Sequence, residues 1–287
     1  MATPLRFPFV FGLVVALGIS LLTSTAPLPP APKTPAQVTL LAVGDILLGR
    51  RLGAQMAETS DYTLPFRALQ PLLAAADIAF GNLEGPFCPE PPYPSAGMIF
   101  RVRPEAVAGL VAAGFDVLSV ANNHAGDCGD AGIRFTLAHL RQAGILPVGA
   151  GQGFVPAHAG TAVVRGPVRF AFLAYSYAPR NDWAESVSVV VPGRDAEQVR
   201  RDVARARRSS DVVVVSLHDG AEYTRRVAPE TEAFARAALE AGAQVVLGHH
   251  PHVPQRVEAY RDGWIFYSLG NFVFCLLYTS PSPRDRT

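Results

Sequence analysis

Residues 38–50 read VTLLAVGDILLGR. The mostly apolar run 38–43 stops at Gly44, and Asp45 stands directly behind it. Such a run is too short for a helix and lacks the alternation of a half-solvated strand. It therefore reads as a strand covered on both faces. Similar short runs recur at 77–80, 116–121, 145–148, 168–175, 211–218, 244–248 and 264–270. Helical patterns lie among them. Residues 104–113 open with a first-turn Pro and stop at Gly114, 130–143 stop at Gly144, and 229–241 stop at Gly242; 195–208 complete the set. Buried strands alternating with helices define an α/β fold, a largely buried sheet flanked by helices, in one domain from 38 to 274. Residues 166–194 are its least regular section.

Composition narrows the class. A chain of 287 residues holds one or two domains. It is 49% hydrophobic and 17% charged, against about 25% charged in typical domains. Disordered proteins, coiled coils and charged nucleic-acid tails are thereby excluded. The net charge of +1 gives no global field to steer a polyanion, and no nucleic-acid partner is expected. Cys88, Cys128 and Cys275 are too few and too scattered for a disulfide framework or a thiolate zinc site.

The N-terminus reads as a targeting segment. Arg6 precedes the run FPFVFGLVVALGISLL (7–22), and no further charge appears before Lys33. A positive start followed by an apolar stretch is a secretory signal or, extended through Ala26, a membrane anchor. Ser24-Thr25-Ala26 resembles a cleavage site, although Pro27 would then begin the mature chain. Residues 27–37 form a Pro-rich linker. The domain is therefore expected on the extracytoplasmic face of the cell membrane, or secreted. Residues 275–287 lack any strand or helix pattern and read as a disordered or non-native tail.

Open α/β sheets gather functional groups at the carboxyl ends of their strands. Just past the expected strands stand Asp45, then Asn82 and Glu84, then Asn122-Asn123-His124 with Asp127 and Asp130 close behind, then His218, then His249-His250-Pro251-His252, and last Asn271. Five of the seven histidines thus fall at three strand ends. Carboxylate, amide and imidazole ligands without thiolate suit manganese, zinc or iron(II) in a catalytic rather than a structural site. Asp127 or Asp130 would orient His124 through its second ring nitrogen; N-capping of the following helix is the other use for such an acid.

The segments LLAVGDILLGR, DIAFGNLEGPF, VLSVANNHAGDCG, VVVSLHDGAEY, VVLGHHPHVPQ and IFYSLGNFVF, in that order between residues 40 and 274, resemble the bacterial capsule-synthesis protein CapA family, which is associated with poly-γ-glutamate capsules and belongs to the calcineurin-like metallophosphatase superfamily. The resemblance implies a two-layer β-sandwich flanked by helices (αββα). It also implies a role in making or anchoring an anionic cell-surface polymer, with that polymer and membrane synthase subunits as partners.

The superfamily's ligands map onto this chain with two departures. The opening Asp-x-His becomes Asp45-Ile46-Leu47, without the histidine, and Gly-Asp becomes Gly81-Asn82, with the acid displaced to Glu84. The resemblance therefore implies one cation held by Glu84, Asn123, His218 and His250. A second would be held only by Asp45, Glu84 and His252. His124, with Asp127, would handle the proton or developing charge. A metal at this place acidifies water and polarises the bond attacked. The expected chemistry is hydrolysis or transfer at a phosphoester or γ-amide bond. A non-catalytic scaffold that binds polymer or synthase is the alternative.

Overall fold

The structure, a computed structural model, describes residues 37–178 and 189–274. The expected targeting segment, all but the last residue of the linker, the tail and part of the 166–194 section lie outside the described residues. Thirteen strands are present among the described residues: β1 Leu40–Ile46, β2 Ile78–Leu83, β3 Val117–Ser119, β4 Leu146–Val148, β5 Gly151–Gln152, β6 Thr161–Arg165, β7 Val168–Ser176, β8 Val189–Val190, β9 Val212–His218, β10 Val245–His249, β11 Val257–Tyr260, β12 Gly263–Phe266 and β13 Asn271–Val273. Seven helices join them: α1 Arg50–Thr59, α2 Gln70–Ala74, α3 Val107–Ala113, α4 Gly129–Gln142, α5 Phe154–His158, α6 Ala196–Ala206 and α7 Pro229–Glu240.

The strands form two main sheets where periodicity alone suggested one. The first runs β13-β1-β2-β3-β4 and is parallel throughout. The second runs β11-β12-β10-β9-β7-β6, parallel in its centre and closed at each edge by an antiparallel strand. β5 and β8 pair separately.

Alternation along each strand assigns its faces. In β7, Phe170, Phe172 and Ala174 turn towards the first sheet, and Phe172 stacks on Phe80 of β2 with centroids 5.6 Å apart. Ala171, Leu173 and Tyr175 turn outward to pack with Val199 and Val203 of α6 and Phe234 and Ala238 of α7. In β9, Val213, Val215 and Leu217 face those helices, which puts His218 on the inner face with Val214. Met56, Leu110, Ile133, Leu137 and Leu140, from α1, α3 and α4, join the first sheet's core. The result is helices, sheet, sheet, helices.

Two corrections concern the last expected strand and the cysteines. Residues 264–270 do not form one strand. The chain leaves the second sheet after Phe266, turns at Tyr267–Gly270 and enters the first sheet as β13. Close backbone approach allows this crossing, since a Cβ on Gly44 of β1 would lie 1.8 Å from the Gly270 carbonyl oxygen. Cys88 and Cys128 are joined by a disulfide, with Cα atoms 6.0 Å apart. The 40-residue separation hid a pairing made between neighbouring strand-end loops.

Candidate metal centre

Strand registers bring the strand ends to one level. Asp45 of β1 pairs with Asn82 of β2 and Asn271 of β13; across the crevice, His218 of β9 pairs with His249 of β10 and Ser176 of β7. The first sheet's strand ends thus contribute carboxylates, amides and His124, and the second's contribute the other imidazoles. The chain past β10 carries His250 and His252 at φ 96° and 59°, conformations in which L-residues are strained.

Every residue expected at the site lies in this crevice. Asp45, Glu84, His124, His218 and His250 are buried, as are Asn123 and the side chain of His252. His218 Nε2 is 2.9 Å from Asn123 Oδ1 and 3.9 Å from Glu84 Oε1, and its Nδ1 is 4.0 Å from Asp45 Oδ1. His252 Nδ1 is 3.5 Å from Asp45 Oδ2, and its Nε2 is 4.0 Å from Glu84 Oε1. His124 Nδ1 lies 2.8 Å from Asp127 Oδ2 while its Nε2 faces Glu84 Oε1 at 3.9 Å. Asp127, not Asp130, is therefore the acid on His124. It also accepts the Phe100 backbone N–H at 2.5 Å, and the Phe100 ring stacks on the imidazole with centroids 3.7 Å apart. Asp130 sits in the first turn of α4, where an acid suits the helix dipole.

Four further residues complete the crevice. Asn82 donates to Asp45 Oδ1 at 2.8 Å and lies 3.2 Å from His218 Nδ1. Asn122 donates to Asn82 Oδ1 and to the Leu83 carbonyl, tying β2 to the loop that carries His124. Asn271 Oδ1 is 2.8 Å from His252 Nδ1. His249 is fully buried with Nδ1 3.5 Å from Asp45 Oδ1. The strand-end pattern named these positions, and only the pairing of the strands shows whom they serve.

Charge is distributed unevenly. Burial pushes the Asp45 carboxyl up, yet His249 and His252 beside it outweigh burial and hold it well below the usual range. Glu84 has no such relief. Burial, then the charges of Asp45, Glu222 and Asp127, push it well above its ordinary value. Burial, and then the neighbouring His250, hold His218 well down. His250 is held down to about 4 by burial and then by His252. Burial opposes a charge on His252, but Asp45 raises it all the same.

These donors fit a cation. Glu84 Oε2, His249 Nε2 and His250 Nδ1 are buried with no hydrogen-bond partner, and each unmet group of this kind costs about 1–3 kcal/mol. Two ligand groups lie within 4.8 Å, Asp45–Glu84–His218 and Glu84–His250–His252, with Glu84 common to both. The two groups are not separate in space: Asp45 lies 3.5 Å from His252 as well as 4.0 Å from His218, and His218 lies 2.9 Å from Asn123.

Fold and site together define an α/β two-sheet protein with a carboxylate–imidazole centre at its strand ends. The chain belongs to the family described as bacterial capsule synthesis protein PGA_cap, which it matches over residues 39–275. It is 35% identical over 250 residues to the capsule biosynthesis protein CapA of Bacillus anthracis, covering 83% of this chain and 60% of that one. It is 33% identical over 237 residues to the PGA biosynthesis protein CapA of Bacillus subtilis, covering 81% and 62%. A probable polyglutamine synthesis accessory protein of Mycobacterium tuberculosis is 31% identical over 252 residues, with 81% and 65% covered. The chain therefore spans less than two thirds of each of these relatives. Among solved structures, the sulfate thiohydrolase SoxB of Thermus thermophilus overlaps 76% of this chain and 40% of its own at 14% identity and TM-score 0.43, too loosely to bear on the chemistry.

Proposed function

We propose that this chain works outside the cytoplasmic membrane in making or anchoring a poly-γ-glutamate-type capsule polymer, through a centre that holds one or two manganese, zinc or iron ions. The carrying observation is the pair of ligand groups sharing Glu84. The names of the relatives support the polymer. The apolar run 7–22 and the Cys88–Cys128 disulfide support an oxidising, extracytoplasmic location. Asp45, Glu84, His218, His250 and His252 hold the metal, and Asn123 offers an amide oxygen beside His218. A divalent cation here supplies positive charge that polarises an acyl or phosphoryl oxygen and acidifies water near neutral pH. The chain's own groups do the rest. Asp127 accepts from His124 Nδ1 and fixes the ring, so Nε2 faces the crevice to give a proton to the leaving group of a phosphoester or γ-amide bond. Phe100 keeps water off one face of that ring.

One observation favours a non-catalytic scaffold instead. Leu47 stands where the superfamily has its first histidine, and it is fully buried in the apolar core. Elemental analysis of the wild type and three variants, paired with phosphodiester and γ-glutamyl hydrolysis assays, separates the readings. His218→Ala is expected to lose metal, since a ligand is gone. Asp45→Ala empties one of two positions. His124→Ala keeps metal and loses about a hundredfold or more in rate. Wild type that stays metal-free after manganese or zinc is supplied defeats the enzyme reading and leaves the scaffold.

A further inference from the structure

Six described non-glycine residues have positive φ: Arg50, Ser60, Tyr223, His250, His252 and Arg261. Strain of this kind gathers at functional sites when no turn demands it. Ser60 is the left-handed C-cap of α1, and Arg261 lies in the tight turn between β11 and β12. His250 and His252 belong to the metal centre, and the Tyr223 ring lies 5.7 Å from that of His252. That leaves Arg50, at φ 57°, directly behind β1 and Gly49.

Nothing local accounts for Arg50. It opens α1 with Arg51 beside it and no acid in the first turn, the end of a helix where positive charge is disfavoured. Its half-buried side chain makes no hydrogen bond or ion pair with a described residue. The guanidinium stands over the Phe100 ring, 5.8 Å from its centroid, and that ring is the one stacked on His124. Three other arginines are already engaged. Arg101 donates to the carbonyls of Pro92 and Glu90, Arg103 lies over Tyr93, and Arg194 donates to both oxygens of Asp219. Arg50 is thus a cation held in a strained conformation, one ring from the acid–base histidine, with its donors unspent.

We infer that Arg50 binds an anionic oxygen group of the substrate, a carboxylate or a phosphate, at the edge of the metal centre beside Phe100. The inference rests on the proposed reading of that centre as a polymer-processing site. A planar guanidinium meets two oxygens of either group at once. On a γ-linked glutamate chain the group would be the free α-carboxylate next to the bond addressed. On a phosphoester it would be a non-bridging oxygen pair.

The test uses the full chain loaded with manganese, and two probes: a γ-linked glutamate oligomer and inorganic phosphate. Affinities are measured by calorimetry for the wild type, Arg50→Gly and Arg50→Lys, with metal content and Tm alongside. Arg50→Gly is expected to bind the preferred anion at least about tenfold more weakly. Its metal content stays the same and its Tm is equal or higher, because glycine takes this φ without strain. Arg50→Lys keeps the charge but not the fork, and falls between the two. Preference of the wild type for one probe identifies carboxylate or phosphate as the group bound. Wild-type affinity in Arg50→Gly, or loss of metal and Tm in both variants, overturns the inference and spares the reading of the centre. A wild type that holds metal but binds neither probe overturns both.

Discussion

At the scale of single residues, the tension of the centre rests on Glu84. It is buried against a second carboxylate, Asp45, and one of its oxygens meets no donor. Without a cation it keeps its proton at a pH where the unfolded chain has lost it. The folded pKa is raised, so this contribution to stability is present below about 4.5 and lost as pH rises towards the folded value. His250 acts in the opposite window. Its folded value is about 4 against about 6.5 unfolded, so the unfolded state binds more protons between them and stability falls as pH drops through that range. Glu84→Gln removes the first effect and leaves the second. In urea titrations with EDTA present, the variant is expected to be more stable than wild type at pH 7.5, by about 1.4 kcal/mol for each unit by which the folded value, up to that pH, exceeds the unfolded one. Near pH 4.5 the gain shrinks, and metal binding is lost throughout. An equal gain at both pH values would show that the carboxyl is not perturbed.

At the scale of elements, what the sequence displayed and what it hid follow from the same geometry. Parallel strands covered on both faces are continuous apolar runs, so β1, β2, β3, β9 and β10 stood out, and their carboxyl ends named Asp45, Glu84, His124, His218, His250 and His252. Edge strands lacked that signature. β6, TAVVR, alternates buried Val163 with exposed neighbours, and β11, VEAY, is nowhere fully buried. Helix α1 was missed because Gly49 caps it without a side-chain hydrogen bond and its first turn holds two arginines instead of an acid. The division into two sheets was invisible to periodicity, because the inner face of a sandwich reads the same as a face under helices. The disulfide was hidden for a related reason, since it joins the loop after β2 to the turn before α4, partners only in space. It ties the chain just past Glu84 to the residue next to Asp127. Closing a loop of this length constrains the unfolded chain by about 4 kcal/mol. Cys88→Ala/Cys128→Ala is expected to lower Tm by about 10 °C and, on the proposed catalytic reading, to slow turnover more than it lowers metal affinity. Unchanged calorimetric Tm would show that the two loops are held without the bond.

At the scale of the molecule, the centre is a joint between layers. Asp45 and Glu84 come from the first sheet and the loop behind it; His218, His250 and His252 come from the second sheet. A cation that binds all of them bridges both halves of the sandwich, whose shared core is the apolar layer around Phe80 and Phe172. Asp45 and His218 lie within strands of opposite sheets, so an ion bound to both would couple to global rather than local stability. Ligand at a hundred times its dissociation constant adds about 2.7 kcal/mol, and a domain of this size gains about 2–4 °C in Tm per kcal/mol. Calorimetry of EDTA-stripped protein titrated with manganese or zinc is therefore expected to show one cooperative transition moving up by about 5–10 °C. Asp45→Asn, which removes charge from the first sheet's side alone, and His250→Gln, which removes a ligand from the second, should each cut that shift, even though they sit on opposite layers. A shift that survives both substitutions would place the metal elsewhere. A shift confined to a minor, low-temperature transition would show that the ion holds a loop and not the sandwich.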